Sequence, residues 1–140
     1  KIINNNLKNT NKTLFLVPFQ VMQLMRRLNI SLDYDNTYTA DPKGMKALIR
    51  CLQSSGHTVF CVTMRHAEID WNEDFKELKE KYDVETIFCD GRAKRKVTQE
   101  RNIGIDIWID DTPKGVDEDS PFTGQELLDW RIDQGILKAA

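Results

Sequence analysis

Apolar and polar positions along the chain fall into short blocks whose spacing switches between extended and helical periods. Leu28–Leu32 is a short apolar run that ends in acidic residues, which predicts a strand. Over Pro42–Ser54, Met45, Leu48, Ile49 and Leu52 recur at helical spacing, and Gly56 stops the run. His57–Val62 is β-branched and aromatic, a second strand. Glu68–Tyr82 sets Ile69, Phe75, Leu78 and Tyr82 among many charges, the pattern of one amphipathic helix with a wet face. Thr86–Cys89 reads as a third strand and Ala93–Arg101 as a basic helix. Ile105–Ile109 reads as a fourth strand ending in Asp110 and Asp111, and Gly124–Gln134 as a last helix folding back on the domain. This alternation specifies an α/β fold, a parallel sheet with covering helices. In such sheets ligands bind beyond the carboxyl ends of the strands. The residues there are Asp33, Asp35, Thr63, Asp90, Asp110 and Asp111.

Length and charge narrow the picture. The 140 residues suit one domain. Residues 1–24 open with an Asn- and Lys-rich stretch and read as disordered or as a non-native leader, leaving 25–140 as the folding unit. Twenty Lys and Arg against 22 Asp and Glu give a net charge of −2, which argues against coating nucleic acid or steering to a membrane. No apolar run approaches the ~20 residues that span a bilayer. Cys51, Cys61 and Cys89 show no metal-ligand spacing, and an odd, sparse set fits reduced thiols in a cytoplasmic protein.

The strand ends carry the chemistry. A two-residue step in extended chain puts Asp33 and Asp35 on one face, where their charges repel unless a cation or shared proton intervenes. Asp110 and Asp111 end another strand on the same rim. Hard oxygen donors from two strands suit Mg²⁺, which takes one or two carboxylates plus water and substrate phosphate.

Asp33-x-Asp35-x-Thr37, Thr63 ending the next strand, a lysine opening a later helix and the Asp110-Asp111 strand end together resemble the haloacid-dehalogenase superfamily of phosphotransferases. The match runs from about Leu28 to Pro113 and is most similar to short, phage-type phosphatase-like members. The resemblance implies a Rossmannoid three-layer α/β/α fold and a Mg²⁺-dependent phosphatase. It makes Asp33 the nucleophile and Asp35 the general acid and base, whose backbone carbonyl also binds the metal. Thr37 steadies the loop, and Thr63 bonds a phosphoryl oxygen. Asp111 is the direct metal ligand, and Asp110 orients a ligand water or the lysine. Lys94 and Lys96 compete for the phosphate lysine, with Lys94 preferred because it lies nearer the strand end. Where many members hold Gly or an aliphatic residue, this chain has Asn36 and Tyr38; Asn36 tolerates positive φ, and Tyr38 is expected to project toward the entrance and stack on a base or sugar. Arg65, close behind Thr63, is expected at the mouth.

Neither cap insertion point of that superfamily has room for a spare domain, so the site reads as capless. An open site favours a bulky substrate, a nucleotide or a nucleic-acid end, or a lid lent by a second copy in a homodimer. Arg92, Lys94, Arg95 and Lys96 then contact further phosphates. The competing class is a binding protein that keeps the fold and acidic rim, such as a phage modulator of a host protein or phosphorylated ligand. Blander readings stand beside these: Thr63 as a helix cap and the basic run as a solvated helix face.

Overall fold

Among the residues that the computed structural model describes (26–121 with 126, 129, 132 and 133), four short strands hydrogen-bond into one parallel sheet. They are β1 (Asn29–Leu32), β2 (Thr58–Thr63), β3 (Glu85–Phe88) and β4 (Ile107–Ile109), in the order β3-β2-β1-β4. The helices are α1 (Pro42–Ser54), α2 (Ala67–Asp70), α3 (Glu73–Tyr82), α4 (Lys94–Glu100) and α5 (Lys114–Asp117). The segment 1–24 and most of the helix expected over Gly124–Gln134 lie outside the described residues; positions 126, 129, 132 and 133 are helical.

Strand alternation sorts the side chains onto two faces. Leu32, Val59, Cys61 and Phe88 face one way and meet Ile49 of α1 and Phe75, Leu78 and Tyr82 of α3. Val62 and Ile87 face the other way and meet Val97 of α4, with Phe60 and Trp108 packed alongside. The result is a three-layer α/β/α stack. Ile49, Phe75 and Leu78 are fully buried, and each such side chain contributes about 1.5–3 kcal/mol.

The register follows from these pairs: Leu32 lies beside Cys61 on one flank and Ile109 on the other. The chain steps from β1 outward through β2 to β3, then crosses by way of α4 to the far flank of β1. That reversal makes the gap between the ends of β1 and β4 the switch point of the sheet, where ligands of open α/β sheets lodge.

The single helix expected over Glu68–Tyr82 is two. Asn72 is extended (φ −143°, ψ 179°) and its side-chain oxygen accepts the N–H groups of Asp74 and Phe75. It thereby caps a new helix that carries Glu73 and Asp74 in its first turn. The break takes Ile69 off the buried stripe and leaves it 37% exposed. No helix among the described residues is long and apolar enough to cross a membrane.

Candidate active site

The backbone at the end of β1 fixes Asp33. Its N–H donates to the Ile109 carbonyl (2.9 Å), extending the ladder with β4 by one residue beyond the strand. A wide turn follows, in which the Tyr38 N–H reaches back to the Asp33 carbonyl (3.1 Å). Asp35 stays extended within it and Asn36 takes φ 57°, the left-handed angle that asparagine tolerates. On the neighbouring strand, Asp110 and Asp111 follow β4 directly. One carboxylate oxygen each of Asp33, Asp110 and Asp111 lies within 4.8 Å of the other two.

Lys94 opens α4 and fills the space between two of these carboxylates. Its Nζ donates to Asp33 Oδ1 (2.5 Å) and to Asp110 Oδ2 (2.6 Å). The three side chains are only 4%, 7% and 5% exposed, so this is a buried ion triad. Burial raises Asp33 from 3.8 to about 6, against the pull of the Lys94 charge. For Lys94, burial favours the neutral amine, but Asp33 and Asp110 outweigh it and hold the ammonium above its ordinary value. The helix start is itself tied down, because Asp119 accepts the Ala93 N–H (2.7 Å).

The remaining bonds divide the carboxylates by availability. Asp110 Oδ1 accepts the Thr112 N–H (2.9 Å) while its Oδ2 takes Lys94, so both oxygens are engaged. Asp111 is exposed and, among the described residues, its carboxylate has only long contacts from Thr37 Oγ1 (3.5 Å) and Thr112 Oγ1 (3.3 Å). Thr37, 8% exposed, also receives the Asp111 N–H (3.1 Å) and so joins the turn after β1 to the end of β4. The donor set is all hard oxygen. Three such oxygens within 4.8 Å of one another can reach a single small divalent ion. The residues fit such an ion.

A cleft of about 400 Å³ opens over the cluster. Its acidic lining (Asp33, Asp35, Asp110, Asp111, Glu118 and Asp119) outnumbers its lysines (Lys94 and Lys114). Glu118 and Asp119 come from the acid-rich stretch just after Asp110 and Asp111, a continuation of the same signal that sequence reasoning passed over. Met64 also lines the cleft, whereas Thr63 is fully buried and its Oγ1 accepts the Arg65 N–H (3.3 Å).

Several expected site residues lie elsewhere. Tyr38 does not face the entrance: it is fully buried in the core, its ring stacked 5.7 Å from that of Tyr34. The turn after β1, kinked at Asp35 and Asn36, brings the two rings together and both go inward. Asp35 lines the cleft but is not drawn into the Asp33 cluster; the Arg65 guanidinium holds it, with Nη2 2.6 Å from Oδ1 and Nε 2.9 Å from Oδ2. Lys96 is exposed on the far side of α4 from Lys94, as two residues of a helix must diverge. The basic run is largely paired within the protein, Arg92 with Glu100 and Arg95 with Asp117, both at 2.5 Å.

No family model, curated protein or solved structure matches the chain. The fold and this cluster of carboxylates and lysine define a parallel α/β protein with a potential catalytic or metal-binding site at the sheet's switch point.

Proposed function

We propose that the protein is a Mg²⁺-dependent phosphomonoester hydrolase of the haloacid-dehalogenase type. The observation that carries the reading is the buried triad: Asp33 is gripped by Lys94 beside the Asp110 and Asp111 oxygens, where two strands end together. In this reading Asp33, Asp111 and the backbone carbonyl of Asp35 would hold the ion, and Asp110 fixes Lys94. When bound, the ion neutralises phosphoryl oxygens and the repulsion among the carboxylates.

The chain's own groups do the rest. An Asp33 oxygen attacks phosphorus as the bond to the leaving oxygen breaks, and Asp35 supplies that oxygen's proton. Water, giving its proton to Asp35, then cleaves the aspartyl-phosphate and restores Asp33. Lys94, already against Asp33, stabilises the anionic phosphoryl group in both steps.

The substrate that suits this cleft carries a single phosphoryl group, nucleoside monophosphates among them. A polyphosphate or nucleic-acid end would meet surplus carboxylates, and two of the cations expected to receive it, Arg92 and Arg95, are paired with Glu100 and Asp117. One observation favours the binding-protein reading: the Lys94 ammonium already fills the space between Asp33 and Asp110 and bonds both. The test is turnover of a generic aryl phosphate with Mg²⁺, compared between wild type and Asp33→Asn. Hydrolysis that stops in the variant supports the enzyme; none in the wild type leaves the binding protein standing.

A further inference from the structure

We propose that Arg65 is a positioning residue for Asp35 rather than a contact for the substrate, an inference that rests on the phosphatase reading of the site. Asp35 needs such a partner. Its side chain is 49% exposed and it sits in a turn beside Asn36 at φ 57°, so neither packing nor regular backbone restricts the carboxylate to one rotamer.

Arg65 supplies the restraint as a planar fork. Nε donates to both carboxylate oxygens (3.2 and 2.9 Å) and Nη2 to Oδ1 (2.6 Å), which fixes the distance and the plane of Asp35 as the carboxylate, the form that takes the proton from water when the aspartyl-phosphate is cleaved. Most exposed ion pairs do little, but a bidentate pair whose arginine is itself immobile is the exception. Arg65 is immobile on three counts. Its N–H donates to Thr63 Oγ1 (3.3 Å), and its carbonyl accepts the Asp90 N–H (3.3 Å). Its guanidinium lies over the Tyr34 ring, 4.8 Å from the centroid.

Tyr34 passes the restraint into the core. Its ring is 4% exposed and packs 4.3 Å from that of Phe75. Its hydroxyl donates to Asp74 (2.8 Å) and accepts from the Asn72 side-chain amide (3.1 Å). A continuous brace thus runs from the first turn of α3 through Tyr34 and Arg65 to the carboxylate at the cleft. Asp35 lines the cleft and Arg65 does not, so Arg65 acts through its partner. Thr63 joins the same brace, since its hydroxyl oxygen sets the backbone of Arg65.

The experiment is a double-mutant cycle in aryl phosphate hydrolysis with Mg²⁺, over wild type, Arg65→Ala, Asp35→Asn and the double variant, with circular dichroism to verify folding. Arg65→Ala is expected to lower kcat by roughly tenfold to a hundredfold, the cost of an ångström-scale misplacement, with KM nearly unchanged. In the Asp35→Asn background the same change adds nothing. Millimolar guanidinium ion restores part of the kcat of Arg65→Ala. Arg65→Lys, which keeps the charge without the fork, falls between and serves where the alanine variant does not fold. An unchanged kcat in Arg65→Ala, or a KM increase that persists without Asp35, overturns the inference while the phosphatase reading stands. A wild type that hydrolyses no phosphomonoester removes both.

Discussion

Lys94 and Asp33 are 61 residues apart in sequence, yet their charged atoms meet at 2.5 Å with almost no solvent between them and the protein. An isolated buried carboxylate would be strongly disfavoured, and even beside the ammonium Asp33 is pushed up to about 6. The pair is therefore held by the fold more than it holds the fold. Placing a reactive carboxylate where water cannot screen it has a use only if something else arrives there.

Replacing Lys94 exposes that cost. Lys94→Met leaves Asp33 and Asp110 buried without their shared cation, and breaking such a group destabilises by about 3–5 kcal/mol. The melting temperature should fall by roughly 10 °C or more. Mg²⁺ should raise it more in the variant than in wild type, because the ion then meets unpaired carboxylates. Thermal melts with and without Mg²⁺ decide it; an unaltered Tm in the variant contradicts the buried triad.

The metal cluster makes its own prediction. Mg²⁺ at a hundred times its dissociation constant should stabilise the wild type by about 2.7 kcal/mol. Asp111→Asn, which removes the most accessible of the three carboxylates, should abolish most of that gain with little effect on the metal-free melt. Calorimetric titration of Mg²⁺ into both proteins measures it, and equal affinities would remove Asp111 from the ligand set.

The raised pKa of Asp33 gives a sign for pH dependence in metal-free protein. Between 3.8 and about 6 the folded state keeps a proton that the unfolded chain has released. Its stabilising contribution is fully present below 3.8 and is lost as pH climbs through about 6. Relative to Asp33→Asn, wild type should lose up to ~3 kcal/mol across that window, at about 1.4 kcal/mol per pKa unit. Denaturant titrations of both proteins in chelator would show parallel curves if burial did not raise this group.

Asn72 is a structural test of the same neighbourhood. Asn72→Ala deletes the cap of α3 and the amide bond to the Tyr34 hydroxyl, and should cost about 1–2 kcal/mol. Asn72→Asp keeps the capping oxygen and should recover most of it, read by urea unfolding.

Much of this was legible in the sequence wherever the signal is local. Strand alternation, the glycine after α1 and the acidic strand ends were enough to place the sheet and to nominate Asp33, Asp110 and Asp111. The asparagine before Glu73 and Asp74 was a readable cap, masked by the apolar spacing that continued across it. What spacing could not show were partners from distant segments. Asp35 shares the two-residue step with Asp33 but answers to Arg65, thirty positions away. Tyr38 looked like a gate, but the kinked turn closed by its own N–H on the Asp33 carbonyl sends its ring inward. The basic run looked available because Asp117, which pairs with Arg95, lies 22 positions on; Glu100, eight positions after Arg92 at the end of α4, was in plain view.

The strand order has a consequence for how the molecule comes into being. Of the described strands β1 emerges from the ribosome first, but its flank toward Asp110 is filled only by the last of them. A nascent chain therefore acquires its hydrophobic support before its divalent-ion cradle, and late closure of so distant a pairing is the slow step to expect. Truncation ahead of Ile107 would leave Asp33 on an open sheet edge, a frame without chemistry.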